Sequence, residues 1–126
     1  PLYYYPAPSW HPLYGCSLIK EGLYESIAVD ESKEPVLVNV DTLDGILEEL
    51  GISKVDWLKL DCEGSEQYVL QGFTRYRLGT RFHIEFHSNY SEVMKELEGK
   101  AEITAFLRNF DVPTDEKIYA VTGFFK

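Results

Sequence analysis

The feature that most constrains this chain is residues 55–73, VDWLKLDCEGSEQYVLQGF, where a short apolar run meets an acidic break and then a helical pattern. Val55, Leu58 and Leu60, with Trp57 among them, make a strand-length segment suited to a buried parallel strand. Asp61 stands where that strand should end, and Glu63 and Glu66 fall in the first turn of the helical segment behind it. Helix N-termini carry partial positive charge, so acids are favoured there. Tyr68, Val69 and Leu70 supply an apolar face, and Gly72 can close the helix. The pattern is a strand, an acidic turn and a helix, with carboxylates at the C-terminal edge of a sheet. Open α/β sheets bind ligands at that edge.

The rest of the chain divides around this unit. Residues 1–14 hold three consecutive tyrosines, then Pro6, Pro8, Trp10, His11 and Pro12, a proline density that forbids helix and favours extended or loop backbone. This arm either lies over the core or faces a substrate, since aromatic faces suit sugars and planar ligands. Residues 27–29 and 36–40 read as strands joined by a turn over 30–35. Asp41 or Thr42 caps a helix over 43–50, with Leu43, Ile46, Leu47 and Leu50 as its apolar stripe and Gly51 at its left-handed end. Residues 74–80 form a basic turn, and 81–87 a second core strand with Phe82, Ile84 and Phe86 on one face and His83, Glu85 and His87 on the other. The spacing predicts helices over 90–98 and 102–110, the second carrying Ile103, Phe106, Leu107 and Phe110 on one face, and a terminal strand over 118–125. Alternating strands and helices give an α/β domain with a mainly parallel sheet.

Three pieces of this order resemble one family. Residues 58–66, LKLDCEGSE, with VLQG at 69–72, are similar to the K-[IL]-D-x-E-G-x-E…[VL]-L-x-G signature of FkbM-type methyltransferases. Val40-Asp41-Thr42-Leu43-Asp44 resembles that family's V-x-T-L-D lead-in, and Ile84-Glu85-Phe86-His87 its I-E-x-H strand. The resemblance runs from about Leu13 to the C-terminus. It implies a Rossmann-like fold whose last strand runs antiparallel, S-adenosylmethionine as cofactor, and O-methylation of a sugar or natural-product hydroxyl. At 126 residues the chain is expected to be a single domain, 1–126, and the resemblance implies that 15–126 corresponds to the second, C-terminal half of the family domain. A Rossmann-like methyltransferase holds its cofactor on a glycine-rich strand–helix turn with an acid for the ribose. No G-x-G occurs here, and no cofactor-binding residue is assigned. The chain alone is therefore expected not to bind S-adenosylmethionine with useful affinity.

The catalytic candidates are Asp61, Glu63 and His87. The acids would face the acceptor, and His87, with an ordinary pKa near neutrality, would deprotonate its hydroxyl. Each has a structural alternative: capping and dipole compensation for Asp61 and Glu63, a packing role for His87. Hard oxygen ligands here would suit a divalent cation, but nothing in the spacing requires one, and no metal is assigned. A metal-dependent hydrolase and a non-catalytic unit that pairs with another chain are the competing readings. If the strands ending at Asp61 and His87 are parallel neighbours, Lys59 lies beside Glu85 on a covered face, as an ion pair that fixes register. Glu66, one turn beyond Glu63, joins Lys59 and Glu85 as substrate contact or structural support.

Composition limits the partners. A net charge of −9 opposes binding to nucleic acid or anionic membrane, which needs a basic surface. No apolar run reaches the ~20 residues that cross a bilayer. Two cysteines, Cys16 and Cys62, without metal or disulfide spacing suit a reducing cytoplasm. The expected partners are a small-molecule or glycan acceptor and, because half a doubly wound sheet leaves its central strand with an unpaired edge, a second copy of the chain or the 1–14 arm over that edge.

Overall fold

A computed structural model describes residues 37–86, 89–108 and 118–126, Glu34, and the backbone of two short strands near the N-terminus. Those strands, β1 (Tyr3–Tyr5) and β2 (Gly15–Ser17), pair antiparallel with Tyr4 opposite Cys16. The tyrosine run is extended, as its neighbouring prolines require, and β1 and β2 form a two-stranded sheet of their own. The expected strand over 27–29 lies outside the described residues.

The central unit forms where the sequence puts it. Helix α1 (Leu43–Glu49) starts at Thr42, whose Oγ1 accepts from the Gly45 amide at 3.0 Å, and Gly51 follows it at φ 67°. Strand β3 (Trp57–Leu60) leads through the acidic turn into α2 (Glu66–Gln71), and β4 (Arg81–Glu85) lies parallel to β3. Helix α3 (Tyr90–Leu97) is followed by Gly99 at φ 69°. The chain then adds β5 (Ala101–Arg108) and β6 (Ile118–Phe125) to the same sheet, in the order β3-β4-β6-β5.

Four expectations are corrected by this arrangement. The sheet is not mainly parallel: β3 and β4 are its parallel pair, while β6 runs antiparallel to both β4 and β5. Residues 101–108 are a strand, not a helix. Their pairing shifts register between Ile103 and Ala105 and again between Leu107 and Arg108, and these irregularities break strict alternation, so that apolar residues fall at helix-like spacing. The terminal strand offers a ladder that outweighs the local pattern. Residues 37–40 form no strand, and Leu37 is 85% and Val40 72% exposed. β-Propensity needs a neighbouring strand, and no described strand pairs with this segment. Finally, the stripe of α1 is only partly used, since Leu47 is buried while Ile46 and Leu50 face out.

One apolar cluster holds the layers together. Leu47 of α1, Leu70 of α2, Phe73, and Val93 and Leu97 of α3 meet Leu60, Phe82, Ile84, Val121 and Phe125 from the sheet. Phe125 packs edge-on against Phe73 at 5.9 Å between centroids and at a tilt against Phe82 at 5.0 Å. All three described helices thus contribute to one sheet face. The alternate residues Lys59, His83, Glu85 and Thr122 are on the other face, together with Trp57, Ala120 and Phe124.

Candidate functional site

The acidic turn is set by its backbone. Glu63 adopts φ 50° and Gly64 φ 90°, two successive left-handed residues that end β3 and redirect the chain into α2. Glycine takes this conformation freely, whereas for glutamate it is uncommon and costs about 1–3 kcal/mol. The turn is closed from both sides, by the Ser65 amide donating to Cys62 O at 3.2 Å and by the Cys62 amide donating to Glu66 Oε1 at 2.7 Å.

Asp61 is exposed at the end of β3, and its Oδ2 accepts a hydrogen bond from Lys59 Nζ at 3.1 Å. Lys59 also reaches Glu85 Oε1 at 3.3 Å, and His83 Nε2 lies 3.6 Å from the same oxygen. The expected Lys59–Glu85 pair is therefore present, and its strands are parallel neighbours. The register differs from expectation: Lys59 stands opposite His83, and Leu60 opposite Ile84. Glu85 is reached diagonally, which a long side chain allows. The face is also not covered at Lys59, whose side chain is 54% exposed. Hydrogen bonds from Lys59 to Asp61 and Glu85 raise its pKa, so it is a fixed cation between two carboxylates. Exposed pairs of this kind contribute little to stability.

Glu66 does not join this exposed group. It is completely buried, accepting from Cys62 and, through Oε2, from the Asn89 side-chain amide at 2.7 Å. His87 lies outside the described residues. Among the described residues no group of histidine, cysteine, aspartate and glutamate has a metal-holding arrangement, and Cys62 is a free thiol whose pKa is raised by burial and by the nearby carboxylates of Glu66, Asp61 and Glu63. A raised pKa disfavours the thiolate, so Cys62 is a poor nucleophile.

Two residues that matter here were given no role of their own from sequence. Asp44 is 7% exposed and accepts from the Thr74 hydroxyl at 2.7 Å, the Thr74 amide at 2.9 Å and the Arg75 amide at 3.0 Å. It ties the start of α1 to the loop between α2 and β4, which Asp44 N and Gly72 O tie again at 2.9 Å. Arg75 reaches over to Glu48 at 2.7 Å. The other is Asn89, whose signal was a cap-forming residue placed just before an amphipathic helix.

Beside the turn, a groove of about 690 Å³ runs between α1 and α2, lined by Val40, Leu43, Ile46, Tyr68 and Val69 among others. The described residues do not by themselves fit S-adenosylmethionine. The chain has no G-x-G turn, and the Cys62 amide of the acidic turn is already bound to Glu66. No helix among the described residues is long and apolar enough to cross a membrane.

No curated protein and no solved structure matches the chain. Its sequence does match the methyltransferase FkbM domain over residues 9–112, a span that includes the lead-in at Asp44, the acidic turn and β4. With a match over most of its length, the chain belongs to the FkbM methyltransferase domain family.

Proposed function

We propose that this chain supplies the acceptor side of an S-adenosylmethionine-dependent O-methyltransferase acting on a sugar or natural-product hydroxyl. The observation that carries the proposal is the acidic turn at the carboxyl end of β3, in a chain of this family. Asp61 and Glu63 orient the acceptor hydroxyl, Lys59 holds the Asp61 carboxylate, and His87 receives the hydroxyl proton. S-adenosylmethionine, held by residues other than these, would supply the electrophilic methyl group.

Calorimetric titration of S-adenosylmethionine tests this reading. The 126-residue chain is expected to give no micromolar binding, because its sequence offers no G-x-G turn for the amide contacts and each charge-assisted hydrogen bond contributes about 1.5–3 kcal/mol. Joined to a glycine-rich methyltransferase half, it should bind, and Asp61→Asn or Glu63→Gln should then lower turnover more than cofactor affinity. Micromolar binding by the chain alone overturns the division of labour. Full turnover in both variants overturns the assignment of the acids.

A second reading is a non-catalytic α/β unit that pairs with another chain. It is favoured by β3, which among the described residues pairs with β4 on one side and has no strand on the other, leaving Trp57 57% exposed. It predicts that joining the cofactor half restores no turnover.

A further inference from the structure

Asn89 is the N-cap residue of α3, yet its side chain makes no bond to that helix. Asparagine in this position ordinarily accepts from the first-turn amides, a contribution of about 1 kcal/mol. Here the side chain is buried and turned away. One hydrogen-bonding path from Nδ2 runs to Glu66 Oε2 at 2.7 Å and another to Gln67 Oε1 at 2.6 Å. Glu66 in turn holds the Cys62 amide with its other oxygen at 2.7 Å, closing the turn over the left-handed Glu63. A strained backbone of this kind persists where its surroundings over-determine it. A continuous hydrogen-bonded path therefore joins the acidic turn to the start of α3.

We infer that Glu66 and Asn89 are positioning residues, a buried clamp that fixes the turn bearing Asp61 and Glu63 to the N-terminus of α3. Its consequence for methyl transfer rests on the function proposed above; the clamp itself does not. The motif's three acids then divide by role, with Asp61 and Glu63 at the acceptor and Glu66 holding the turn that presents them.

The donor and acceptor pattern supplies the test. Both Glu66 oxygens accept, so Glu66→Leu removes both acceptors, whereas Glu66→Gln alone could be matched by a flip of the Asn89 amide. Asn89→Asp sets a carboxylate against a buried carboxylate. The Glu66→Gln/Asn89→Asp double variant restores complementarity at unchanged net charge: the new amide oxygen accepts from Cys62, its NH₂ donates to the new carboxylate, and Gln67 donates after an amide flip. In a Cys16→Ser background the half-buried Cys62 thiol, inside the turn, reports release through its rate of reaction with a disulfide reagent. The single variants Glu66→Leu and Asn89→Asp are each expected to label about tenfold faster or more, as for a loss of ~1.4 kcal/mol, and the Glu66→Gln/Asn89→Asp double variant within about threefold of the parent. A change in thiol ionisation alone would move the two single variants in opposite directions, whereas release speeds both. Release of the turn is a local opening, so the rate should be flat in low urea; global unfolding would raise it steeply.

Single variants that label at the parent's rate, a double variant as fast as the singles, or labelling that climbs with urea each overturn the clamp. Should a single variant fail to fold, hydrogen exchange on the unaltered chain decides. The Cys62 amide should be protected as well as the Val93 amide, which donates to Asn89 O at 3.0 Å, and a Cys62 amide that exchanges far faster overturns the inference. The thiol readout needs neither cofactor nor acceptor. Its failure therefore removes the clamp alone, and failure of the S-adenosylmethionine titration removes the function alone.

Discussion

Replacing Asp44 by alanine removes the acceptor of three donors at once: the Thr74 hydroxyl, the Thr74 amide and the Arg75 amide, at 2.7, 2.9 and 3.0 Å. Hydrogen bonds to a charged acceptor contribute about 1.5–3 kcal/mol each, but the three share one carboxylate and are not additive. Thr74 and Arg75 are themselves exposed, so water can reach the donors once they are released. The expected loss is therefore about 3 kcal/mol rather than three times the upper figure, a large part of the roughly 5–15 kcal/mol typical of a domain. Asp44→Asn keeps one acceptor and the shape and should lose about 1–2 kcal/mol. Burial on its own would raise the Asp44 pKa, but the Thr74 hydroxyl and the Arg75 and Thr74 amides outweigh it and hold the carboxyl below its ordinary 3.8. A depressed folded-state pKa means the carboxylate's contribution is complete above the unfolded value and is lost as pH falls through the folded one. Urea unfolding followed by circular dichroism at about pH 7 and again below about pH 3 checks both statements, with the gap between parent and Asp44→Asn wide at the first and closing at the second. A loss under about 1 kcal/mol for Asp44→Ala, or a gap that persists in acid, refutes the reasoning.

Two further outcomes rest on packing and exposure. Gly123 has no room for a side chain, because an added Cβ would run into Glu102 O and come within 2.8 Å of Phe82 Cζ in the buried core; Gly123→Ala should lower stability by about 2–3 kcal/mol, and an unchanged urea midpoint would contradict it. The chain should self-associate through the β3 edge and the apolar side chains of Val40, Trp57 and Tyr68, with sedimentation mass rising with concentration and Trp57→Lys reducing it; a monomer across the whole range would refute this.

Local chemistry made the central unit legible in the sequence. A strand-length apolar run, an acid-glycine break and a helical period demand β3, the turn and α2 wherever they occur, and Thr42, Gly51 and Gly99 mark element ends by conformational preference alone. The parallel pairing of β3 with β4 and the Lys59–Glu85 contact also followed from matched alternation. Other features depend on partners far along the chain. Residues 101–108 read as a helix because two register shifts hide a strand's period, and only the ladder offered by β6 decides their state. Residues 37–40 carry strand-forming side chains but lack a described neighbour to pair with. The same holds within the site. The sequence marks three acids in six residues but cannot say that Glu66 is buried while Asp61 is exposed, since that depends on Asn89 arriving from 23 residues away. Asp44 likewise shows in sequence as a short acid at a helix start, inside the lead-in that resembles the family, and becomes a structural hub because Thr74 and Arg75, 30 and 31 residues later, bring three donors to one carboxylate. Period and propensity are fixed by neighbours in sequence, whereas burial and hydrogen-bond partners are fixed by neighbours in space.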